Sequence, residues 1–196
     1  KAAKAAAALD VLSTFAATAA ERGFVCPEFA DYHVIHIENG RHPVVEQQVR
    51  HFTANHTRLD HKHRLMLLTG PNMGGKSSTV RALALVLILA QIGSFVPCAE
   101  ARVPCHDAIL TRMGAHDHLE RGKSTFLVEA EETAHILRTA TPRSLLILDE
   151  FGRGTSTFDG AALAYAVLRT LLAPEARPKV LFITHYAALG ALADEL

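Results

Sequence analysis

The chain has 196 residues, with 20 Lys and Arg against 20 Asp and Glu, so its formal charge is zero. With 49% apolar and 20% charged residues it can bury a core, which excludes a disordered tail; at roughly 100 to 200 residues per domain it holds one domain, with room for part of another. Neutral bulk and basic spots as short as Lys62 to Arg64 also announce no strongly nucleic-acid-binding surface.

At the start, Lys1 and Lys4 followed by an alanine-rich run through Ala20 imitate a secretory signal. Asp10 interrupts the run, however, and Leu9, Leu12, Phe15 and Ala16 repeat along one helical face. The segment reads as an amphipathic helix cut from a longer protein. Residues 23–31 carry Gly and Pro with little periodicity, Tyr32 to Ile37 alternates like a strand, and Gly40 to Pro43 reads as a turn. A domain boundary near residue 30 follows. From Leu65 short apolar runs alternate with helical stretches: Leu65–Thr69 then Lys76–Ile92, Leu145–Asp149 then Gly160–Leu172, Val180–Thr184 then Ala187 onward. Continuous apolar strands separated by helices predict an α/β fold with a parallel sheet. The most apolar run, Ala82 to Ala90, is far shorter than the about 20 residues of a membrane span and reads as a buried helix.

Cys26, Cys98 and Cys105 are odd in number and form no C-x-x-C, which points to reduced thiols; Cys98, Cys105 and His106 do not make a four-ligand zinc set. His61 with His63, and His116 with His118, sit in polar surroundings and read as solvated positions.

The chemistry is concentrated in three places. Gly70-Pro71-Asn72-Met73-Gly74-Gly75-Lys76-Ser77 matches G-x-x-x-x-G-K-[ST], directly after an apolar run and before a helix. Its glycines let backbone N–H groups curve around phosphate, Lys76 reaches the β and γ oxygens, and Ser77 offers a hydroxyl to Mg²⁺. Leu145 to Leu148 then ends in Asp149 and Glu150, the first placed to hold Mg²⁺ and the second to orient or deprotonate an attacking water. Two hydroxyl-rich loops remain. Gly152 to Thr157 follows the acidic pair, and Gly122 to Phe126 precedes a helix in which Leu127, Ala130, Ala134 and Leu137 step along one face. From the residues alone, Ser124 is either a helix cap or a ligand. His185 is either a donor to phosphate or the end of a strand.

Together these segments carry a resemblance. TGPNMGGKSS at Thr69 to Ser78, AQIGSFVP at Ala90 to Pro97, TRMGA at Thr111 to Ala115, STF at Ser124 to Phe126, DEFGRGTSTFDG at Asp149 to Gly160 and THY at Thr184 to Tyr186 resemble the MutS family of DNA mismatch repair ATPases. GRHPV at Gly40 to Val44 and FTAN at Phe52 to Asn55 match the stretch before that family's phosphate loop, and Leu9 to Pro27 is similar to the last helix of its core region.

The resemblance implies a P-loop NTPase of the ABC type, with residues 1–30 ending the core or lever region and 31–196 forming the ATPase domain. It implies ATP and Mg²⁺ as ligands, with Gly70 to Ser78 around the phosphates and Ser77 and Asp149 on the metal. Phe52 would stack on adenine, Asn72 would help position the γ-phosphate or water, Glu150 would act as base and His185 as γ-phosphate sensor. It further implies a dimer with composite sites, Ser124 reaching in trans and Arg153, Gly154, Thr155 and Ser156 lying at the interface. The paired Ser77-Ser78 and the wording of TRMGA and AQIGS lean toward the eukaryotic homologue that joins a second MutS-like subunit to recognise insertion and deletion loops. That homologue implies nuclear placement, otherwise cytoplasmic, and a downstream MutL-type factor, with no membrane. Mismatched or looped duplex DNA would be held by regions outside this chain. Phe151 departs from the smaller aliphatic associated with its position, and the family's C-terminal dimerisation elements are expected beyond Leu196. An ABC transporter motor would carry an LSGGQ-like signature where this chain has Lys123 to Phe126, and a non-catalytic module would not need Lys76, Ser77, Asp149 and Glu150 intact.

Overall fold

The computed structural model describes residues 1–31, 33–114, 125–173 and 178–193. It divides into two compact units, one of residues 1–60 with 78–105 and one of 61–77 with 106–196.

In the first unit, helix α1 (Ala2–Arg22) forms where the sequence predicts it. Its apolar face is not packed away: Leu9 and Leu12 are 69% and 60% exposed, and Ala19 alone of its residues is buried. Arg41 closes its far end, donating from Nη2 to the carbonyls of Arg22 at 3.0 Å and Gly23 at 3.4 Å while its Nε donates to the Glu46 carboxylate at 2.8 Å, so two carbonyls at the helix end gain a charged donor. A sheet of β1 (Glu28–Phe29), β2 (Ile35–Gly40), β3 (Asn55–Leu59) and β5 (Glu100–Val103) runs in the order β1-β5-β2-β3, antiparallel at β2–β3 and β2–β5. The alternation predicted over 32–37 is realised from Ile35, with Ile35 and Ile37 buried and His36 between them half-buried. The remainder of helix α2 (Lys76–Gln91) belongs here too, with Val80, Ala82, Leu83, Val86, Leu87 and Ala90 buried.

The second unit is built on β4 (Leu65–Leu68), β6 (Ile109–Met113), β7 (Leu145–Asp149) and β8 (Lys179–Ile183), all parallel, in the order β4-β8-β7-β6. The α/β fold with a parallel sheet is therefore present as expected. Every residue of β7 and β8 is buried because each has a strand on both sides; the outer strands β4 and β6 are mostly half-buried. Helices α3 (Thr125–Thr139), α4 (Thr157–Leu172) and α5 (Ala188–Ala193) complete it. Leu146, Leu148, Phe182, Leu168 and Leu171 form one apolar cluster, and each such side chain contributes about 1.5–3 kcal/mol on burial. Phe151, the departure noted above, lies inside this cluster at 4% exposure, so the larger ring fills core volume.

Helix α3 buries a face other than the one along which Leu127, Ala130, Ala134 and Leu137 step. Leu127 and Leu137 are exposed, whereas Glu129, Thr133 and Ile136 are buried, because that side of the helix meets the buried Arg112 guanidinium and therefore takes a carboxylate in place of an aliphatic chain.

Two histidines make stability depend on pH. His42 is buried, and its Nδ1 accepts the N–H groups of Val44 at 3.3 Å and Val45 at 3.2 Å, so protonation there breaks both bonds. Burial, then its own backbone hydrogen bond acting in opposition, then Arg81, leave its pKa below the usual 6.5. His106 donates from Nδ1 to the Arg143 carbonyl at 2.9 Å and is also lowered, chiefly by burial. With both native pKa values depressed, the unfolded chain binds protons first as pH falls below about 6.5, so stability is full above that point and drops below it. Urea midpoints measured from about pH 7.5 to 5.5 should fall, and His42→Asn, whose Oδ1 can accept the same two donors without titrating, should flatten the slope. Identical slopes for the two proteins would contradict the assignment.

Candidate nucleotide-binding site

Because β4, β8, β7 and β6 are parallel and in register, their C-terminal ends form one row: Leu68 beside Ile183, Ile183 beside Asp149, and Asp149 beside Met113. Ligands of open α/β sheets bind at this edge.

The loop after β4 leaves the sheet at Gly70 (φ +133°) and enters α2 through Gly75 (φ +82°), conformations that disfavour a side chain; Met73 also sits at φ +65° and is fully exposed. Lys76 folds back across this loop, its Nζ donating to the carbonyls of Gly70 at 2.7 Å and Pro71 at 2.8 Å. Ser77, on the first turn of α2, donates from Oγ to Asp149 Oδ2 at 2.7 Å although the two are 72 residues apart. The second oxygen, Asp149 Oδ1, is buried without a hydrogen-bond partner. A hydroxyl and a carboxylate with an unmet acceptor, beside a glycine-rich loop at the start of a helix, fit the hard-oxygen demands of Mg²⁺ and the anionic demands of a phosphate chain.

Glu150 takes a left-handed backbone, φ +53°, a conformation costing about 1–2 kcal/mol for a residue with a Cβ. The turn is held by neighbours: Glu150 N–H donates to the Ile183 carbonyl at 2.9 Å, and the Arg153 guanidinium meets its carboxylate. Gly152 follows at φ +93°, where a Cβ would stand 2.8 Å from the Gly160 carbonyl oxygen. Ser156 caps α4, its Oγ accepting the Asp159 N–H at 3.2 Å, a contact worth about 1 kcal/mol.

Asn72, Met73, Ser77, Asp149, Glu150, Arg153 and Gly154 line one cavity of about 440 Å³ together with Arg112, Gly114, Thr125 and Glu129. His185 is exposed at the end of β8, between the strands that lead to the phosphate loop and to Asp149, its ring centroid 4.1 Å from that of Tyr186. Thr155 and Ser156 continue from Gly154 but do not line the cavity. Phe52 is half-buried in the first unit and Ser78 continues α2 there, so their roles rest on the resemblance. Ser124, like His116 and His118, lies outside the described residues.

The family model described as MutS domain V matches residues 66–196. The chain belongs to the MutS family. Proteins described as DNA mismatch repair protein msh3, from two strains of Aspergillus fumigatus, are each 54% identical to this MutS chain over 190 residues, which cover 96% of it and 17% of their own length. The chain thus spans about a sixth of the curated relatives it matches. The matched range contains the phosphate loop, Asp149, Glu150 and His185; Phe52 and α1 precede it.

Sequence reasoning left three residues of this MutS site without a role. Arg112 and Glu129 are buried together and reach the cavity, and Tyr186 donates its hydroxyl to the Gly152 carbonyl at 3.0 Å. No local signal marked the first, since Ile109 to Met113 mixes apolar and polar residues with little strand period, and an arginine there does not announce its own burial. Nothing local marks which of Glu129, Glu131 and Glu132 meet it; Glu129 does so while buried, and the half-exposed Glu132 lies 3.0 Å from the Arg112 Nε.

Proposed function

We propose that this chain is the ATP-binding and ATP-hydrolysing motor domain of a DNA mismatch repair protein, with the P-loop ATPase fold of the ABC type. Residues 1–30 would be the end of the core or lever region and 31–196 the ATPase domain. The observation that carries the reading is the Ser77–Asp149 hydrogen bond beside the unpartnered Asp149 Oδ1, at the mouth of a phosphate loop. Ser77 and Asp149 would hold Mg²⁺, which when bound neutralises charge on the β and γ oxygens. Lys76 would exchange its two loop carbonyls for phosphate oxygens, and Asn72 would hold the γ-phosphate or the water in line. Glu150 would take the proton of the attacking water once Arg153 swings off its carboxylate, so catalysis is mainly positioning and charge stabilisation.

In the dimer implied by the family, Phe52 would stack on adenine, His185 would sense the γ-phosphate, Ser124 would complete the other subunit's site, and Arg153 to Ser156 would lie at the interface. The named relatives favour a nuclear heterodimer with a second MutS-type subunit, in which ATP binding and hydrolysis couple recognition of mismatches or insertion and deletion loops to clamp signalling toward a MutL-type factor. DNA would be gripped by regions outside this chain, in keeping with its zero formal charge, and no helix among the described residues is long and apolar enough to cross a membrane.

Steady-state ATPase activity against protein concentration tests this. Specific activity should rise with concentration as trans sites assemble. Absence of hydrolysis at every concentration, with and without a second MutS-type subunit, overturns the reading.

A further inference from the structure

Behind Glu150 lies a charged pair with no part in the reaction as described. The side chains of Arg112 on β6 and Glu129 on α3 are 2% and 3% exposed, and Arg112 Nη2 donates to Glu129 Oε1 at 2.8 Å; the arginine's Nε also lies 3.0 Å from Oε2 of the half-exposed Glu132, and its Nη1 donates to the Gly114 carbonyl. The other oxygen, Glu129 Oε2, accepts the Gly152 N–H at 3.2 Å. On the opposite side of that residue, the Gly152 carbonyl accepts the Tyr186 hydroxyl at 3.0 Å. Gly152 is thereby held from α3 and from the segment after β8, one residue before the arginine that meets Glu150 and two after Glu150 itself. Since Gly152 also packs on the Gly160 backbone too tightly to admit a Cβ, the turn has no slack of its own.

We infer that Arg112 and Glu129 are positioning residues for Glu150, fixing the 150–153 turn and with it the reach of the Glu150 carboxylate into the cavity; this rests on the ATPase reading above. Two observations favour positioning over plain stability. A buried ion pair is a weak source of stability, because desolvating both charges offsets most of their attraction, and an apolar pair of similar volume would pack as well. The two side chains also line the cavity shared with Ser77, Asp149 and Glu150 and stand outside the apolar cluster of this unit. Burial, and after it the Glu129 charge, raise the Tyr186 pKa above its usual 10.

The test uses the intact protein assembled with its partner subunit, in Glu129→Gln, which keeps the shape, and Arg112→Lys, which keeps the charge. In both, kcat for ATP hydrolysis should fall at least about tenfold, while nucleotide affinity stays within about twofold. Amide exchange over residues 150–154 should quicken while that of β7 and β8 holds. Added to Glu150→Gln, Glu129→Gln should lower the residual rate no further, since it acts through Glu150. Wild-type kcat in both variants overturns the inference, as does a fully multiplicative effect with Glu150→Gln, or a loss spread across nucleotide affinity and the exchange of the whole sheet. If the wild type does not hydrolyse ATP, the ATPase reading falls and the catalytic part of this inference with it. Unaltered exchange at 150–154 overturns the hold on the turn in either case.

Discussion

Glu150→Gln should leave ATP binding intact and lower hydrolysis by about 100-fold or more, the range typical for losing a positioned general base. The amide has the size of the carboxylate and leaves the backbone at φ +53° with its bond to the Ile183 carbonyl. Ser77 and Asp149 keep their contact, so the residues proposed to hold metal are untouched. What is lost is an oxygen that can take a proton and the charge that holds Arg153. Nucleotide titration and steady-state turnover on the same protein separate the two functions. Equal loss of binding and turnover would remove the role assigned to Glu150.

Lys76→Ala should strike the earlier step. Its Nζ now bonds two carbonyls of its own loop, and both are within the reach it needs to hand over to phosphate oxygens. A hydrogen bond from a charged donor is worth about 1.5–3 kcal/mol, which corresponds to an affinity loss of about 10- to 100-fold. Folding should change little, because Lys76 is only half-buried and its partners are loop carbonyls at a solvent-facing turn. Direct titration with a nucleotide triphosphate measures the loss; unchanged affinity would contradict the phosphate-loop assignment.

The parallel sheet, the helices around it, the phosphate loop and the acidic pair were legible because each is signalled by residues adjacent in the chain. An unbroken run such as Leu145 to Leu148 fits only a strand covered on both faces, and G-x-x-x-x-G-K-S needs its glycines at fixed offsets. No strand was read at Asn55–Leu59, Glu100–Val103 or Ile109–Met113, where short edge or mixed-polarity segments give little period and pairing partners decide the conformation. The same limit explains α3. Its helical period was readable, yet the face with Leu127 and Leu137 stays exposed, because the buried arginine it must answer sits on a strand that local pattern did not reveal.

By itself, then, the sequence determined the motifs and their order: the glycine-rich loop proposed for phosphate, the hydroxyl and carboxylate proposed for metal, and the carboxylate that stands next in line. Only the tertiary structure decided that Ser77 and Asp149 touch, that Arg153 covers Glu150, and that Arg112 and Glu129 hold the turn beneath it. Motif identity depends on short-range backbone geometry, which a few neighbouring residues fix. Contacts between side chains separated by tens of residues depend on strand order and register, and these are set by the packing of the whole sheet.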